Sequence, residues 1–248
     1  MKFNQYYLEC LSHASYLIGD ETSGRAVVDV QLEFRHTPGH TPESMSIVVY
    51  EHANDEVPHA VLTGDTLFIG DVGRPDLLSS IGFTREELAN SLYDSLHGKL
   101  MTLPDSTRVY PAHGAGSSCG KNLSTELWST MGDQKVTNYA LLAPDKATFL
   151  DLVTEGQPPA PGYFVYDAIL NRKERELHDE TEPPKPMSYD EMLAALDAGA
   201  VLIDGRNPEE FAAGHLRQAV NVGLEGRYAE FAGRSLVEGA DGAAAGND

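Results

Sequence analysis

One segment of the chain places apolar residues at helical spacing behind a clear start signal. Thr84-Arg-Glu-Glu87 has the pattern of a capping box, in which the first and fourth side chains satisfy each other's backbone N–H groups. Leu88, Leu92 and Leu96 follow at intervals of four, which is the spacing of one helix face. The pattern predicts a helix that begins at this box and ends at Gly98.

A second helix signal lies much later in the chain. Ser188-Tyr-Asp-Glu191 is another capping box, and apolar residues at 192, 193 and 196 follow it before Gly199. The run Ala200-Val-Leu-Ile203 then reads as a buried strand that ends at Asp204. This succession of helix and strand predicts a small α/β unit that begins near residue 187.

The first part of the chain reads as strands separated by short turns. Tyr6 to Ile18 mixes aromatic and β-branched residues and is followed by the turn Gly19-Asp20. Three further short apolar runs are typical of buried strands: Ala26-Val-Val-Asp29, Ser46-Ile-Val-Val-Tyr50 and Ala60-Val-Leu-Thr63. Together with the helix signals, these runs predict an α/β fold.

Proline-rich and low-complexity stretches divide the chain into parts. His178-Asp-Glu-Thr-Glu-Pro-Pro-Lys-Pro186 cannot hold a regular ladder and is the best linker segment, whereas Gln157-Pro-Pro-Ala-Pro-Gly162 is expected to cross the surface of the first domain. The Gly- and Ala-rich end has the composition of a frayed tail. We therefore predict a first domain over residues 1–178, a linker at 179–186, a second domain at 187–237 and a flexible tail at 238–248.

Composition narrows the functional class. The chain has 248 residues with 41% hydrophobic content, which is enough for a sizeable core. It carries 18 basic and 38 acidic residues, a net charge of −20, which repels nucleic-acid backbones and anionic membrane surfaces. Neither a signal peptide nor an apolar run of membrane-spanning length is evident, and two cysteines suit a reducing compartment. We expect a cytoplasmic protein that binds neither nucleic acid nor membranes.

Three loops that follow strand-like runs carry residues suited to metal binding. They are Thr37-Pro-Gly-His40-Thr, Thr63-Gly-Asp65-Thr and Tyr110-Pro-Ala-His113-Gly. Pro and Gly beside His40 exclude a helix and predict a turn that presents the imidazole rather than packing it. Asp65 lies just past an apolar strand, where a carboxylate needs a cation or hydrogen-bond donors. Two imidazoles and a carboxylate are ligands of non-haem Fe(II) and of many Zn sites.

These loops, together with Gly70-Asp-Val-Gly-Arg74-Pro-Asp76-Leu, resemble the metallo-β-lactamase superfamily, and more closely its persulfide dioxygenase branch. The opening Tyr7-Leu-Glu-Cys-Leu-Ser-His13-Ala-Ser-Tyr-Leu-Ile-Gly19 is similar to the first strands of that branch. The resemblance extends from residue 1 to about residue 178, with four motifs in family order. It implies an αββα metallo-β-lactamase sandwich.

The resemblance also implies a function. Members of this branch are mononuclear iron enzymes of sulfur metabolism that oxidise glutathione persulfide with O₂ to sulfite and glutathione. His40 and Asp65 match two of the iron ligands, and His113 matches a catalytic-site histidine near the iron. Arg74 and Asp76 match the loop near the thiol substrate, where a guanidinium would suit the carboxylates of glutathione; a local ion pair is the alternative.

One family motif is missing from this chain. The family carries a His-x-His-x-Asp-His segment about 50 residues before the Thr-Pro-Gly-His turn, and this segment supplies the remaining iron ligand. Here the chain passes from Val27-Val-Asp29 to Thr37 in eight steps, so part of the first half of the sandwich is absent, and neither His13 nor His36 has the spacing to replace it. The loss predicts exposed sheet edges, and hence a homodimer or poor solubility.

Three alternatives follow from the missing motif. His40, Asp65 and His113 could themselves form a two-His, one-carboxylate site if their loops meet at one ion. The chain could instead be a zinc-dependent thioester hydrolase of the glyoxalase II type, or a non-catalytic remnant of the fold. Fe(II) is the cofactor that the resemblance implies, with Zn as the alternative.

The last part of the chain resembles the first half of a rhodanese domain. Asp204-Gly-Arg206-Asn-Pro-Glu-Glu210-Phe-Ala-Ala-Gly-His215-Leu and the following Ala219-Val-Asn-Val carry this resemblance. A rhodanese transfers sulfur through a nucleophilic Cys, and no Cys follows Cys119. We therefore expect a truncated rhodanese-like α/β unit in which Asp204, Arg206 and His215 have structural roles.

Cys119 is the remaining residue of chemical interest. It lies in Ser117-Ser-Cys-Gly-Lys121, near the three metal-binding loops, and Lys121 could lower the pKa of its thiol. The alternative is a small buried or loop cysteine. Cys10, in an apolar strand pattern, is expected in the core.

Overall fold

The computed structural model divides the chain into two compact units, residues 1–160 and 161–248. It describes residues 2–8, 13–19, 31–77, 82–157, 164, 185–225, 228 and 231–233. Five sequence predictions concern residues that lie wholly or mostly outside these ranges: the strand at 26–29, the core position of Cys10, the surface crossing at 157–162, the linker at 179–186 and the tail at 238–248.

The first unit contains two sheets within its described residues. An antiparallel hairpin is formed by β1 (Lys2–Leu8) and β2 (His13–Gly19). A second sheet has the order β3-β4-β5-β6-β7 and is antiparallel except between β5 and β6. Its strands are β3 (Gln31–His36), β4 (Met45–Tyr50), β5 (Ala60–Gly64), β6 (Arg108–Pro111) and β7 (Ser129–Thr130).

Three α-helices among the described residues of this unit accompany the sheet. They are α1 (Arg85–Ser95), α2 (Met131–Thr137) and α3 (Lys146–Thr154). The capping box at Thr84 is present as predicted, but Gly98 does not end the helical path. A π-helical turn, Leu96–Leu100, continues directly from α1 and passes through that glycine. The reason is that Leu96 and Leu100 are both completely buried, so their packing extends the helical path past the glycine.

The two faces of the five-stranded sheet have different partners. On one face, Val48, Val61 and Val109 pack against the helices in a core that includes Leu92, Leu96 and Phe149. On the other face, their neighbours Val49, Ala60 and Tyr110 pack against side chains of the hairpin. This alternation places a helical layer on one side of the sheet and a second sheet on the other, as in the predicted α/β sandwich.

The second unit is smaller. It contains α4 (Tyr189–Asp197), β8 (Ile203–Asp204), α5 (Pro208–Ala213) and β9 (Val220–Asn221), with β8 and β9 paired in parallel. The predicted capping box at Ser188 is present and α4 begins just after it. The strand predicted from Ala200 to Ile203 is shorter, since only its last residue and Asp204 pair with β9. Across the described residues of both units, no helix has the length and apolar character needed to span a membrane.

Candidate metal centre

Three of the strands bring the predicted site residues to one end of the sheet. Asp65 follows β5 directly, and His113 lies two residues after β6, its parallel neighbour. His40 lies four residues after β3, which runs in the same direction as β5 because both are antiparallel to β4. Loops that leave parallel strands at the same edge converge, so side chains distant in sequence meet here.

His40 is buried, with 7% of its surface exposed. The prediction that its turn presents the imidazole rather than packing it is therefore wrong. Gly39 lies so close to α1 that an added Cβ would be 2.5 Å from the Cβ of Leu92, which draws the turn into the core. The Nδ1 atom of His40 donates to the Arg74 carbonyl at 3.0 Å, which leaves Nε2 as the nitrogen that faces the cluster. Nε2 lies 3.4 Å from Oδ2 of Asp65.

Asp65 is held from two sides. Its Oδ1 accepts a hydrogen bond from Nδ1 of His113 at 2.5 Å, while its Oδ2 faces His40. Burial opposes charge on both His113 and Asp65, but their mutual hydrogen bond prevails. It lowers the pKa of Asp65, and with a further bond to Cys119 it raises the pKa of His113 to about 10. The carboxylate is thus ionised and fixed in orientation.

Cys119 also belongs to this cluster. Its side chain is buried, with 8% exposed, and hydrogen-bonds to both His113 and His40. Burial and the charge of Asp65 raise the pKa of the thiol, but these two hydrogen bonds outweigh them and the pKa is lowered. The ammonium of Lys121 donates to the Leu152 carbonyl instead. The histidines, and not Lys121, are therefore the groups that favour the thiolate.

The donor atoms present fit a metal ion. One ligand atom each from His40, Asp65 and Cys119 lies within 4.8 Å of the other two. Bonds of about 2.0–2.2 Å to one ion place two donors roughly 3.3–3.5 Å apart, which matches the 3.4 Å between His40 Nε2 and Asp65 Oδ2. The third donor of this set is Cys119. In the two-His, one-carboxylate alternative the third donor is His113, whose Nδ1 here bonds to Asp65.

The loop that contains Arg74 and Asp76 lies against this cluster. The Arg74 side chain is 1% exposed, and its Nε and Nη2 atoms each donate to Asp76 at 2.7 Å. Its Nη1 atom donates to the Ser118 carbonyl at 3.3 Å. These bonds correspond to the ion-pair alternative, so a role of Arg74 in binding substrate carboxylates stays a prediction.

Two residues beside Arg74 organise the cluster and were not singled out from the sequence. An added Cβ at Gly73 would lie 1.8 Å from the Asp65 carbonyl oxygen, so only glycine allows this loop to pass so close. The fully buried Asp71 accepts the backbone N–H groups of Lys121 and Asn122 at 2.7 and 2.8 Å. Both residues lie within the Gly70-Asp-Val-Gly-Arg74 motif, so the sequence signal was present but had been assigned to substrate binding.

A cavity of about 740 Å³ opens beside Asp76. Its lining comes from the loop of Asp76, the start of α1, and the end of α3 with the three residues that follow it. The lining residues are Asp76, Arg85, Glu86, Leu150, Asp151, Thr154, Glu155, Gly156 and Gln157. Four carboxylates with one Arg give this cavity a negative potential, which disfavours an anionic ligand.

In the second unit, the three predicted structural residues form a local arrangement. Arg206 donates to both carboxylate oxygens of Asp204, with contacts of 2.6 to 3.2 Å, and to the Gly214 carbonyl at 2.9 Å. These bonds lower the pKa of Asp204 to about 2. The His215 ring stacks on Phe211 at 3.8 Å and bonds to its carbonyl oxygen.

Comparisons with known proteins give one family match and two similar solved structures. Residues 188–240 match the rhodanese-like domain family. A crystal structure of a metallo-β-lactamase from Staphylococcus aureus subsp. aureus COL is similar over 95% of this chain and 88% of its own, with 26% identity and a TM-score of 0.77. The ETHE1 structure from Myxococcus xanthus, with 20% identity, covers 69% of this chain and 98% of its own at a TM-score of 0.54, and shows the fold alone.

Curated relatives are similar over shorter stretches. The mitochondrial persulfide dioxygenase ETHE1 of Bos taurus is 38% identical over 82 residues, which cover 33% of this chain and 27% of the relative. A probable hydroxyacylglutathione hydrolase of Schizosaccharomyces pombe is 36% identical over 115 residues, or 46% of this chain and 40% of the relative. The chain thus matches well under half the length of these relatives.

Proposed function

Because the chain joins a unit of the metallo-β-lactamase superfamily to a rhodanese-like segment, we propose that it is an iron-dependent oxygenase of low-molecular-weight persulfides. The proposed reaction is GSSH + O₂ + H₂O → GSH + SO₃²⁻ + 2 H⁺, with glutathione persulfide as the substrate. The observation that carries the proposal is the cluster of His40, Asp65 and Cys119, whose donor atoms lie mutually within 4.8 Å. A rhodanese-like segment in the same chain supports sulfur chemistry rather than another reaction of the superfamily.

His40 and Asp65 would hold the iron. Nε2 of His40 is the nitrogen that would bind the iron once it has lost its proton, because Nδ1 donates to the Arg74 carbonyl. Oδ2 of Asp65 faces the same space because Oδ1 is occupied by His113. When bound, Fe(II) would supply the redox centre through which electrons pass from the persulfide sulfur to O₂, a chemistry that these side chains lack. The buried ring of His40 also limits the access of water to this position.

His113 would act through hydrogen bonding rather than as a ligand. Its Nδ1 keeps Asp65 in one orientation, and its ring remains partly exposed, with 22% of the side chain accessible. A protonated ring at this place can donate to an oxyanion, and sulfite is an anionic product. His113 is therefore proposed to orient the oxidised product or a water molecule.

A second candidate function is the zinc-dependent hydrolysis of glutathione thioesters. It is favoured by the length of the match to the probable hydroxyacylglutathione hydrolase, which covers 46% of this chain against 33% for the persulfide dioxygenase. It is disfavoured because such hydrolases typically use two metal ions, and the described residues bring together one set of three donors.

The test measures O₂ uptake and sulfite formation with glutathione persulfide after anaerobic loading of the full chain with Fe(II). We expect one sulfite per O₂ consumed. Asp65→Ala should abolish this uptake, whereas Asp94→Ala, on the exposed face of α1, should leave it unchanged. The same chain loaded with Zn(II) is assayed on a glutathione thioester. Thioester hydrolysis without O₂ uptake would establish the second candidate instead. The absence of both activities would favour a non-catalytic remnant.

A further inference from the structure

The cluster at the end of the sheet contains a thiol that the superfamily resemblance did not assign to the metal. The ligand atoms of His40, Asp65 and Cys119 lie within 4.8 Å of one another, and each comes from a different loop. Their chemistry is complementary: a neutral imidazole, a carboxylate and a thiol that becomes a thiolate when it binds a metal. Such a mixed set is found in mononuclear zinc and iron sites.

The loop of Cys119 is fixed in place from both sides. The backbone N–H of Arg74 donates to the Cys119 carbonyl at 2.9 Å, and Asp71 accepts the N–H groups of Lys121 and Asn122. An added Cβ at Gly120 would lie 2.9 Å from the Asp71 carboxylate, so this turn requires glycine. The thiol position is therefore determined by several independent contacts.

The Arg74 backbone links the thiol to His40. Its carbonyl accepts from Nδ1 of His40 at 3.0 Å, and its N–H bonds to the Cys119 carbonyl, so one residue positions both side chains. Backbone carbonyls that bond to the remote nitrogen of a histidine are the usual supports of a metal-binding imidazole. The same support orients Nε2 of His40 toward Asp65.

We propose that the Cys119 thiolate is the third protein ligand of the metal, a ligand role that the family resemblance would give to the His-x-His-x-Asp-His segment. This inference rests on the proposed role of His40 and Asp65 as ligands, but it does not depend on which reaction the centre catalyses. It has a consequence for metal choice. A thiolate ligand selects Zn, Fe or Co over Mg, Ca and Mn, which prefer oxygen donors.

Cobalt substitution of the full chain tests the proposal by spectroscopy. We expect the wild type to bind one Co(II) per chain and to show the near-ultraviolet charge-transfer absorption of a cobalt–thiolate bond. Cys119→Ser should lose this absorption and weaken Co(II) binding at least tenfold. Cys10→Ser, which changes the other cysteine of the chain, is the matched control and should retain both. Urea unfolding followed by the single tryptophan, Trp128, establishes that each variant is folded.

A measurement on the wild type alone covers the case in which Cys119→Ser does not fold. X-ray absorption of the zinc-loaded chain should show one sulfur neighbour at about 2.3 Å. Bound cobalt without the charge-transfer band, or zinc surrounded only by nitrogen and oxygen, would overturn the proposal. If the band is present and persulfide oxygenation fails, the proposed function falls and this ligand assignment stands. If oxygenation depends on Asp65 but no sulfur is bound, only this inference falls.

Discussion

Asp65 in the first unit and Asp204 in the second each lie at the end of a β-strand next to a cationic or basic side chain. The two carboxylates are almost equally accessible, with 16% and 15% of their side chains exposed. Their partners differ. Asp204 bonds to Arg206, two residues away and 47% exposed, whereas Asp65 meets His40 and His113, which come from other loops and are 9% and 22% exposed.

This difference distinguishes a local structural ion pair from a candidate functional site. The Asp204–Arg206 pair closes a turn with residues that are already neighbours in sequence, and its charges are fully compensated. The Asp65 cluster instead gathers donors from three strands, and it includes His40, whose second nitrogen faces inward. A strand-end carboxylate therefore indicates chemistry when its partners are distant in sequence and buried, and not merely when it has a partner.

The largest expected difference between substitutions of Asp65 and of Asp204 is in metal affinity. Asp65→Asn removes the charge that faces His40, so the dissociation constant for Zn(II) should rise at least a hundredfold. Asp204→Asn removes an equally accessible carboxylate and should leave zinc affinity unchanged. Competition with a chromophoric chelator measures both. Equal effects of the two substitutions would remove the distinction between the two aspartates.

The next largest effect concerns the close approach of the Gly73 loop to Asp65. Gly73→Ala should lower the free energy of unfolding of the first unit by about 3 kcal/mol, because the new Cβ would lie 1.8 Å from a backbone oxygen. Gly98→Ala is the control, since a Cβ there meets nothing within 4 Å. Urea unfolding monitored by Trp128 measures the change. A Gly73→Ala chain as stable as the wild type would contradict the described packing.

The pH dependence of stability is expected to follow the His113–Asp65 bond in the metal-free chain. The folded-state pKa of His113 is raised to about 10 from an ordinary value of 6.5. The stability that this pair contributes is therefore fully present below pH 6.5 and is lost as pH rises through about 10. We expect the wild type to lose most of its stability advantage over His113→Gln across this range.

Urea titrations at pH 6 and pH 10, with chelator present, measure the difference in the free energy of unfolding between the wild type and His113→Gln. The comparison with His113→Gln isolates the pair from other groups that titrate in the same range. A constant difference between the two chains would show that His113 is not held in its charged form by Asp65.

The smallest effect is expected in the second unit. Arg206→Ala removes the partner of Asp204, so the pKa of that carboxyl should rise from about 2 toward its ordinary value of 3.8. NMR titration of the side chain measures the shift. Arg217→Ala is a charge-matched control that should leave the titration of Asp204 unchanged. The Trp128 unfolding transition of the first unit should not change in either variant.

Local signals in the sequence were sufficient for much of the fold. The capping boxes at Thr84 and Ser188 predicted where two helices begin, because the contacts involved lie within four residues. The strands at Met45–Tyr50 and Ala60–Gly64 were predicted to within one residue from their apolar runs. The continuation through Gly98 was missed because it depends on the packing of Leu96 and Leu100, which no local pattern contains.

The site was predictable only in part for the same reason. His40, Asp65 and His113 could be singled out because each lies in a short motif after a strand. The membership of Cys119 depends on Asp71 and Arg74, which are more than 40 residues away in sequence and hold its loop against His40. The burial of His40 likewise depends on the approach of Gly39 to α1, a contact between distant segments.

Elemental analysis is the first test of the proposal that the loops after three strands form a metal centre in this chain. The full chain is loaded anaerobically with Fe(II), or separately with Zn(II), and desalted before the metal content is measured. We expect close to one iron or one zinc per chain. Less than a tenth of an equivalent of either metal would contradict the proposed metal centre. The donor atoms of His40, Asp65 and Cys119 would then lie close together without binding a metal ion.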